Sequence, residues 1–203
     1  MTSTTTSADS APNKIKRRPF VAVLLKHRGS ALVVPGLGSP TWDISAAGDQ
    51  PENLYSWGGM GLAVSTALGI ALAQPDRRVL AITGDGEMMM GIGSLGVVAD
   101  QAPKNLGILV LDNEHFGETG RQHGLTGTRT DMCKVAEGFG IAKTMLVTEE
   151  GQIGALAELM FKEPGPTFAV AKIAITEDPW ALPVKDGAAI AHRFRVAIGA
   201  ETA

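Results

Sequence analysis

The stretch RVLAITGDGEMMMGIGSLGVVADQAPKNLGILVLDN, residues 78–113, decides the fold of this chain. Two apolar runs, 78–86 and 106–113, lead into acidic or amide residues, and a segment rich in small residues separates them. Strands that are apolar at every position, rather than at alternate positions, are typical of a parallel sheet buried on both faces. The intervening segment, 92–102, predicts the helix of a strand–helix–strand crossover, which Pro103 ends.

The rest of the chain continues this alternation of strands and helices. We therefore expect an α/β fold, with a doubly wound parallel sheet and helices on both faces. Residues 1–16 are predicted to form a disordered polar tail, residues 17–203 a single domain, and residues 37–53 a loop within it. The other predicted helices span 19–28, 60–74, 131–140, 149–163 and 187–200, and the other predicted strands span 31–36, 54–59, 142–148 and 166–175.

Composition and charge exclude several classes of function. The net charge of −3 is too small and too mixed to indicate a nucleic-acid partner. The single cysteine, Cys133, cannot form an internal disulfide, a structural zinc site or a four-thiolate iron–sulfur cluster, which leaves an inert buried thiol. Arg17 and Arg18 precede an apolar run, 20–25, that is too short for an export signal, and no segment approaches the roughly 20 apolar residues of a membrane span. We predict a cytoplasmic protein with no membrane partner.

Asp85 and Asn113 follow the two apolar strands of the central stretch. A right-handed crossover between these strands would place both residues at the same edge of the sheet. Carboxylate and amide oxygens suit Mg²⁺ or Ca²⁺ better than zinc, and Gly84 and Gly86 would let the backbone approach a phosphate closely. The pattern predicts a metal-bridged diphosphate, although Gly-Asp-Gly by itself is more often an ordinary turn.

Segment 84–113 resembles the magnesium–diphosphate motif of thiamine-diphosphate-dependent enzymes, which begins with Gly-Asp-Gly and closes with Asn-Asn or Asp-Asn. Upstream, SWGGMGLAVSTALGIALAQ, residues 56–74, resembles the pyrimidine-contacting turn and following helix of the decarboxylase branch. Downstream, DNEHFGETGRQHGLTGT, residues 112–128, resembles the Asn-Gly-x-Tyr-x-x-Thr-Gly-x-Gln segment of sulfopyruvate and phosphonopyruvate decarboxylases. The resemblance extends over about residues 17–200.

The resemblance implies that the chain binds thiamine diphosphate and Mg²⁺. Asp85, the side chain of Asn113 and the backbone carbonyl of His115 would hold the metal. The carbonyl of Gly58 would accept a hydrogen bond from the pyrimidine amino group. Met60 would lie under the cofactor and keep its two rings bent towards each other. The other residues that the resemblance assigns to cofactor binding are Gly59, Gly86, Glu87, Gly117 and Glu118, with the backbone amides of Gly86, Glu87 and Glu118 facing the diphosphate.

The same resemblance implies a partner chain. In these enzymes a glutamate from a different, pyrimidine-binding domain activates the cofactor, and the residues that precede Gly58 are too few for that domain. We therefore expect a separate alpha subunit to supply the glutamate. An α2β2 assembly, or a multiple of it, follows by analogy.

Departures from the family pattern leave the substrate open. Gln122 is followed by His123 rather than proline, and Gly-Asp-Gly-Glu also occurs in transketolase-like enzymes. His115 and Gln122 are the candidate catalytic residues. The imidazole of His115, like that of His123, can transfer a proton near pH 7 or contact an anionic substrate. Arg121 and Arg129 either bind an anion or are simply solvated.

We predict the beta subunit of a decarboxylase that acts on a small 2-oxo acid. A thiamine-diphosphate-dependent carboligase, or a dehydrogenase or transketolase-like subunit, is the alternative within the enzymes. A non-catalytic, flavodoxin-like module with a simple metal turn is the alternative of a different class.

Overall fold

The computed structural model describes residues 15–200, which form seven strands and eight α-helices. The strands are β1 (Leu32–Pro35), β2 (Val79–Gly84), β3 (Leu106–Asp112), β4 (His115–Phe116), β5 (Gln122–His123), β6 (Lys143–Val147) and β7 (Thr167–Lys172). The helices are α1 (Arg17–Leu25), α2 (Ser39–Ala46), α3 (Ala63–Ala73), α4 (Asp85–Met90), α5 (Ser94–Gln101), α6 (Met132–Phe139), α7 (Ile153–Phe161) and α8 (Gly187–Ala197).

Five strands form one sheet in the order β1-β2-β3-β7-β6, and every neighbouring pair is parallel. Strands β4 and β5 form a separate antiparallel hairpin. The chain passes from β2 to β3 through α4 and α5, and the register pairs Gly84 with Leu111. The carboxyl ends of β2 and β3 are therefore level at one edge of the sheet, as the sequence predicts.

Helices cover both faces of the sheet. On β2, Val79 and Ala81 belong to one apolar cluster, together with residues of α3, α5 and α6. Leu80 and Ile82 belong to a second cluster, together with residues of α1, α2 and α7. Successive residues of a strand point to opposite faces, so a strand covered on both faces is apolar at every position. The predicted doubly wound α/β fold is confirmed.

Helix α2 lies within residues 37–53, where we predicted a loop. Pro40 is in its first turn, where the missing N–H is no loss, and Ile44 is buried in the second cluster. The buried carboxylate of Asp43 forms an ion pair with Arg17 of α1. A helix this short is stabilised by such tertiary contacts rather than by its own sequence, so the loop prediction was wrong.

The strand predicted over 54–59 does not form in the described structure. The preceding residue, Asn53, forms an isolated parallel bridge with Val33. Gly58 and Gly61 then adopt φ angles of +79° and +82°, in the left-handed region that favours glycine. The backbone turns here instead of extending.

Most of the predicted tail, residues 1–14, lies outside the described residues. Ile15 is buried and forms a bridge with Ile173, just beyond β7. The fold therefore includes residue 15, which the prediction assigned to the tail. Within residues 15–200, no helix is both long enough and apolar enough to cross a membrane.

Candidate functional site

A cavity of about 200 Å³ lies at the carboxyl ends of β2 and β3, the edge where open parallel sheets bind ligands. Most of the predicted site residues form its wall, whereas Gly58, Gly59 and Gln122 do not line it. The predicted residues that line the cavity are Met60, Asp85, Gly86, Glu87, Asn113, His115, Gly117 and Glu118.

Two buried carboxylates end the neighbouring strands at this edge. Asp85 follows the last residue of β2 and is 4% exposed, and Asp112 is the last residue of β3 and is 1% exposed. The hydroxyl of Thr126 lies 3.2 Å from Oδ2 of Asp85 and 2.7 Å from Oδ1 of Asp112. A hydroxyl has one proton, so it donates to one of these oxygens at a time. Sequence reasoning missed Thr126, since no local pattern relates it to either strand.

Lys172 neutralises Asp112 but not Asp85. Its ammonium lies 2.8 Å from Oδ2 of Asp112 and 2.8 Å from Oε1 of Glu114. Burial alone would lower the pKa of Lys172, but the hydrogen bonds to Asp112 and Glu114 outweigh burial and raise that pKa. No cationic side chain within residues 15–200 forms an ion pair with Asp85. Of the two carboxylates, Asp112 has its charge balanced by the protein and Asp85 does not.

The charge of Asp85 is consequently costly in the protein alone. Burial, followed by the neighbouring charge of Asp112, raises the pKa of Asp85 to about 6, although the hydrogen bond from Thr126 opposes the rise. A cation beside Asp85 would remove this cost. The environment of the carboxylate thus favours a bound metal ion.

The oxygen atoms around Asp85 fit Mg²⁺. Asn113 and His115 line the same cavity, and the side-chain oxygen of Asn113 accepts a hydrogen bond of 2.9 Å from the N–H of His115. That bond orients the amide and leaves its oxygen a second lone pair. Residues 15–200 contain no group of three His, Cys, Asp or Glu side chains arranged to hold a metal. A single carboxylate with amide and carbonyl oxygens suits Mg²⁺, which takes its other ligands from phosphate and water.

The ring of His115 is held by the same turn. Its Nδ1 lies 2.9 Å from the carbonyl oxygen of Asn113. Because a carbonyl oxygen only accepts, Nδ1 is the donor in this contact, which leaves Nε2 without a role in the turn. The ring also lies against that of His123, with centroids 4.5 Å apart, because the two residues pair across the β4–β5 hairpin.

The structure does not bring Gln122 to the cavity. Its side chain is exposed and binds Thr119 of the same hairpin. The Thr119 hydroxyl donates to Oε1 at 2.8 Å, and Nε2 donates to the Thr119 carbonyl at 2.7 Å. The side chain is occupied in closing the hairpin, and the catalytic role of Gln122 stays a prediction.

The two arginines considered as anion ligands lie apart from Asp85. Arg121 pairs with Glu177 and lines a second cavity of about 440 Å³, which adjoins the first and also contacts Asn113 and His115. Arg129 is exposed and lines neither cavity. Arg121 therefore shares a cavity with Asn113 and His115, whereas Arg129 does not.

Glu87 contributes a buried side chain where we predicted a backbone contact. Its carboxylate accepts hydrogen bonds from the N–H of Leu37 at 2.9 Å, the N–H of Gly61 at 3.2 Å and the hydroxyl of Thr83 at 2.8 Å. Burial raises the pKa of Glu87, and these hydrogen bonds oppose the rise. A side chain at Gly36 would collide with this carboxylate. Glu87 therefore ties two loops of the cavity wall to α4.

An uncharged, apolar surface borders the cavity beside Met60. Gly61 packs against Met90 and Gly91, which brings the end of α4 next to the turn that precedes α3. The indole Nε1 of Trp57 donates to the carbonyl of Val184 at 3.0 Å and adds a neighbouring segment to this surface. We define the apolar rim as the exposed residues Trp57, Met60, Leu62, Met90 and Val184.

Comparison with known proteins agrees with this geometry. The family model described as thiamine pyrophosphate enzyme, C-terminal TPP binding domain, matches residues 44–171. The chain is 32% identical to sulfopyruvate decarboxylase subunit beta of Methanococcus maripaludis, over 78% of this chain and 84% of that protein. It is 35% identical to sulfopyruvate decarboxylase of Methanosarcina acetivorans, over 68% of this chain but 36% of that longer protein.

A solved structure also shares this fold. It is described as a thiamin diphosphate-dependent enzyme isolated from Mycobacterium smegmatis, and it superposes with a TM-score of 0.70 at 24% identity. The superposition covers 83% of this chain and 34% of that chain, so this chain spans about a third of it. The family match includes Asp85, Asn113 and His115, the residues that meet at the cavity. The chain belongs to the thiamine pyrophosphate enzyme family and contains its C-terminal TPP-binding domain.

Proposed function

We propose that this chain is the beta subunit of a thiamine-diphosphate-dependent decarboxylase of a small 2-oxo acid, of the sulfopyruvate or phosphonopyruvate type. The observation that carries the proposal is the buried carboxylate of Asp85, which has no ion-pair partner within residues 15–200 and shares a cavity wall with Asn113 and His115. The match to 84% of sulfopyruvate decarboxylase subunit beta supports the same reaction.

In this proposal the chain supplies the half of the active site that holds the metal and the diphosphate. Asp85, the side-chain oxygen of Asn113 and the carbonyl of His115 hold Mg²⁺. Backbone amides of Gly86, Glu87 and Glu118 bind the diphosphate oxygens. Thiamine diphosphate, when bound, supplies the electron sink for the electron pair that carbon dioxide leaves behind.

Two side chains of the cavity wall have further proposed roles. The carboxylate of Glu87 holds the N–H of Gly61 and so fixes the turn that carries Met60, the residue proposed to support the cofactor rings. Nδ1 of His115 donates to the Asn113 carbonyl, so Nε2 is the ring nitrogen left for the substrate or the product. We assign to His115 the delivery of a proton to the product or contact with the anionic group of the substrate.

A separate alpha subunit would complete the site with the activating glutamate. The sulfopyruvate decarboxylase of Methanosarcina acetivorans is matched over 36% of its length, so the rest of that protein contains sequence with no counterpart in the match. The apolar rim beside the cavity has the exposed, uncharged character of a protein interface. We propose that the alpha subunit packs on the apolar rim in an α2β2 assembly, or a multiple of it, in the cytoplasm.

Reconstitution tests this function. The chain would be purified alone and after co-expression with a candidate alpha subunit, and carbon dioxide release from sulfopyruvate, phosphonopyruvate and pyruvate would be measured with thiamine diphosphate and Mg²⁺. We expect turnover by the complex but not by the isolated chain, with an aldehyde as the product. Full activity of the isolated chain would refute the need for a partner. A complex that binds the cofactor but decarboxylates none of these acids would refute the proposed reaction, and condensation products would indicate carboligation instead.

A further inference from the structure

The two carboxylates at the strand ends differ in their availability to a metal ion. Both oxygens of Asp112 are engaged within the chain. Oδ1 accepts from the Thr126 hydroxyl at 2.7 Å and from the N–H of Glu114 at 2.9 Å, and Oδ2 accepts from Lys172 at 2.8 Å. Asp85 has the weaker contact with Thr126, at 3.2 Å, and no ion pair within residues 15–200.

Lys172 is the cation that pairs with two acidic side chains at this edge of the sheet. Its ammonium contacts Asp112 and Glu114, and the β3–β7 register places Lys172 directly beside Asp112. The side chain of Lys172 is 26% exposed and that of Asp112 is 1% exposed, so solvent and salt screen this pair weakly. Without Lys172, the buried carboxylate of Asp112 would lose this ion pair while lying beside the carboxylate of Asp85, which contacts the same Thr126 hydroxyl.

We propose that Lys172 is a positioning residue that keeps the Asp112 carboxylate from binding the metal. A divalent cation then binds at Asp85 only together with a diphosphate. This inference rests on the proposed function, which places the metal at Asp85. One available carboxylate is a weak site for a bare divalent cation, and Mg²⁺ is ordinarily completed by phosphate oxygens. Several carboxylates in one place bind divalent cations without any phosphate. Lys172 thus makes metal binding conditional on the cofactor.

The test is a gain of metal binding. Mn²⁺ binding to the full chain, free of diphosphate, would be measured by electron paramagnetic resonance and titration calorimetry. We expect Lys172→Met to bind Mn²⁺ about tenfold more tightly than the wild type, or better, because a positive charge close to the ion is removed. The further increase in Mn²⁺ affinity when thiamine diphosphate is added should be smaller in Lys172→Met than in the wild type. An equal or weaker affinity of Lys172→Met for Mn²⁺ alone would overturn the proposal.

Three control variants separate this effect from a change in packing. Lys172→Arg keeps the charge and should bind Mn²⁺ as weakly as the wild type. The double variant Lys172→Met/Asp112→Asn removes the released carboxylate and should return to weak binding. Lys143→Met removes a lysine that pairs with Glu163 at the surface, and its Mn²⁺ affinity should not change. Tight binding in the double variant would contradict the assignment of Asp112 as the released ligand.

Folding of each variant would be checked by circular dichroism and thermal unfolding in EDTA. If Lys172→Met does not fold, Lys172→Gln provides the same loss of charge with a side chain that can still hydrogen-bond to Asp112, and the same tenfold criterion applies. Failure of the proposed function has a different signature. If Asp85→Asn leaves Mn²⁺ binding with thiamine diphosphate unchanged, the metal is not at Asp85. If Asp85→Asn abolishes that binding but Lys172→Met shows no increase in affinity for Mn²⁺ alone, only this inference is wrong.

Discussion

Asp85 and Asp112 end neighbouring parallel strands and share one hydroxyl, that of Thr126, at 3.2 and 2.7 Å, but only Asp112 has a lysine beside it. The protein therefore neutralises one of two adjacent buried carboxylates and leaves the other charged. A charge of this kind lowers the stability of the metal-free chain and is retained where function requires it.

Replacing Asp85 by asparagine should stabilise the metal-free chain while removing metal binding. Burial and Asp112 raise the pKa of Asp85 from 3.8 to about 6, so ionising it in the folded state costs free energy that ionising it in the unfolded state does not. The wild type should lose stability relative to Asp85→Asn as the pH rises from about 4 to about 7, reaching a deficit of about 1–3 kcal/mol.

Urea unfolding in EDTA at several pH values would measure this difference in the free energy of unfolding. The two proteins should be equally stable below about pH 3, where the carboxyl is protonated in both states. A less stable Asp85→Asn at pH 7 would show that the carboxylate is already compensated within the chain.

Removing the side chain of Glu87 should destabilise the fold and loosen the cavity wall. Glu87→Ala leaves the partly buried N–H groups of Leu37 and Gly61 without their acceptor, and each such donor costs about 1–3 kcal/mol where water does not replace the carboxylate. We expect a loss of about 2–4 kcal/mol in urea unfolding. Glu158→Ala, at an exposed position of α7, should change stability by less than about 0.5 kcal/mol. Equal effects of the two substitutions would argue against the tethering role.

In the reconstituted complex, His115→Ala should reduce turnover far more than Gln122→Ala. The His115 ring lines the cavity, whereas the Gln122 side chain is bound to Thr119 of its own hairpin. Since His115→Ala retains the backbone carbonyl, cofactor affinity should change little while kcat falls by about 100-fold, the usual range for a lost proton-transfer group. A fall of that size in Gln122→Ala, with His115→Ala unaffected, would reverse the assignment.

Charges placed in the apolar rim should block the alpha subunit. Leu62 and Met90 are 53% and 64% exposed, so Leu62→Glu and Met90→Glu should fold normally in the isolated chain. In an interface each buried, unpaired carboxylate would weaken association by about tenfold or more. Leu146→Glu, at a 51% exposed position on edge strand β6, is the matched control. Calorimetric titration with the alpha subunit would show the difference, and intact binding of both rim variants would place the partner elsewhere.

Much of the fold could be predicted from local patterns, and the exceptions have physical causes. The strands β2, β3 and β7 are apolar at their central positions because both of their faces are covered, and their polar residues lie at or next to the strand ends. Helix α2 could not be predicted because its stability depends on Ile44 and on the contact of Asp43 with Arg17, far from it in the chain. The strand predicted over 54–59 failed because of the positive φ angles at Gly58 and Gly61.

The candidate site could be predicted in part. Asp85 and Asn113 were predicted to share an edge because parallel strands end together, and both line the cavity. Glu87 was assigned a backbone role because nothing local shows that its carboxylate faces the N–H groups of Leu37 and Gly61. Gln122 matched a family motif, but the hairpin directs its side chain to Thr119.

The sequence by itself determined the layered α/β fold and the pair of strand ends at which a metal and a diphosphate are expected. Only the tertiary structure decided which of the two carboxylates has an ion pair within residues 15–200. Lys172 is 60 residues from Asp112 in the chain and reaches it because β7 lies beside β3 in the sheet. Strand order is a property of the whole chain, whereas apolar patterning is local, so the charge balance at the strand ends cannot be obtained from the pattern alone.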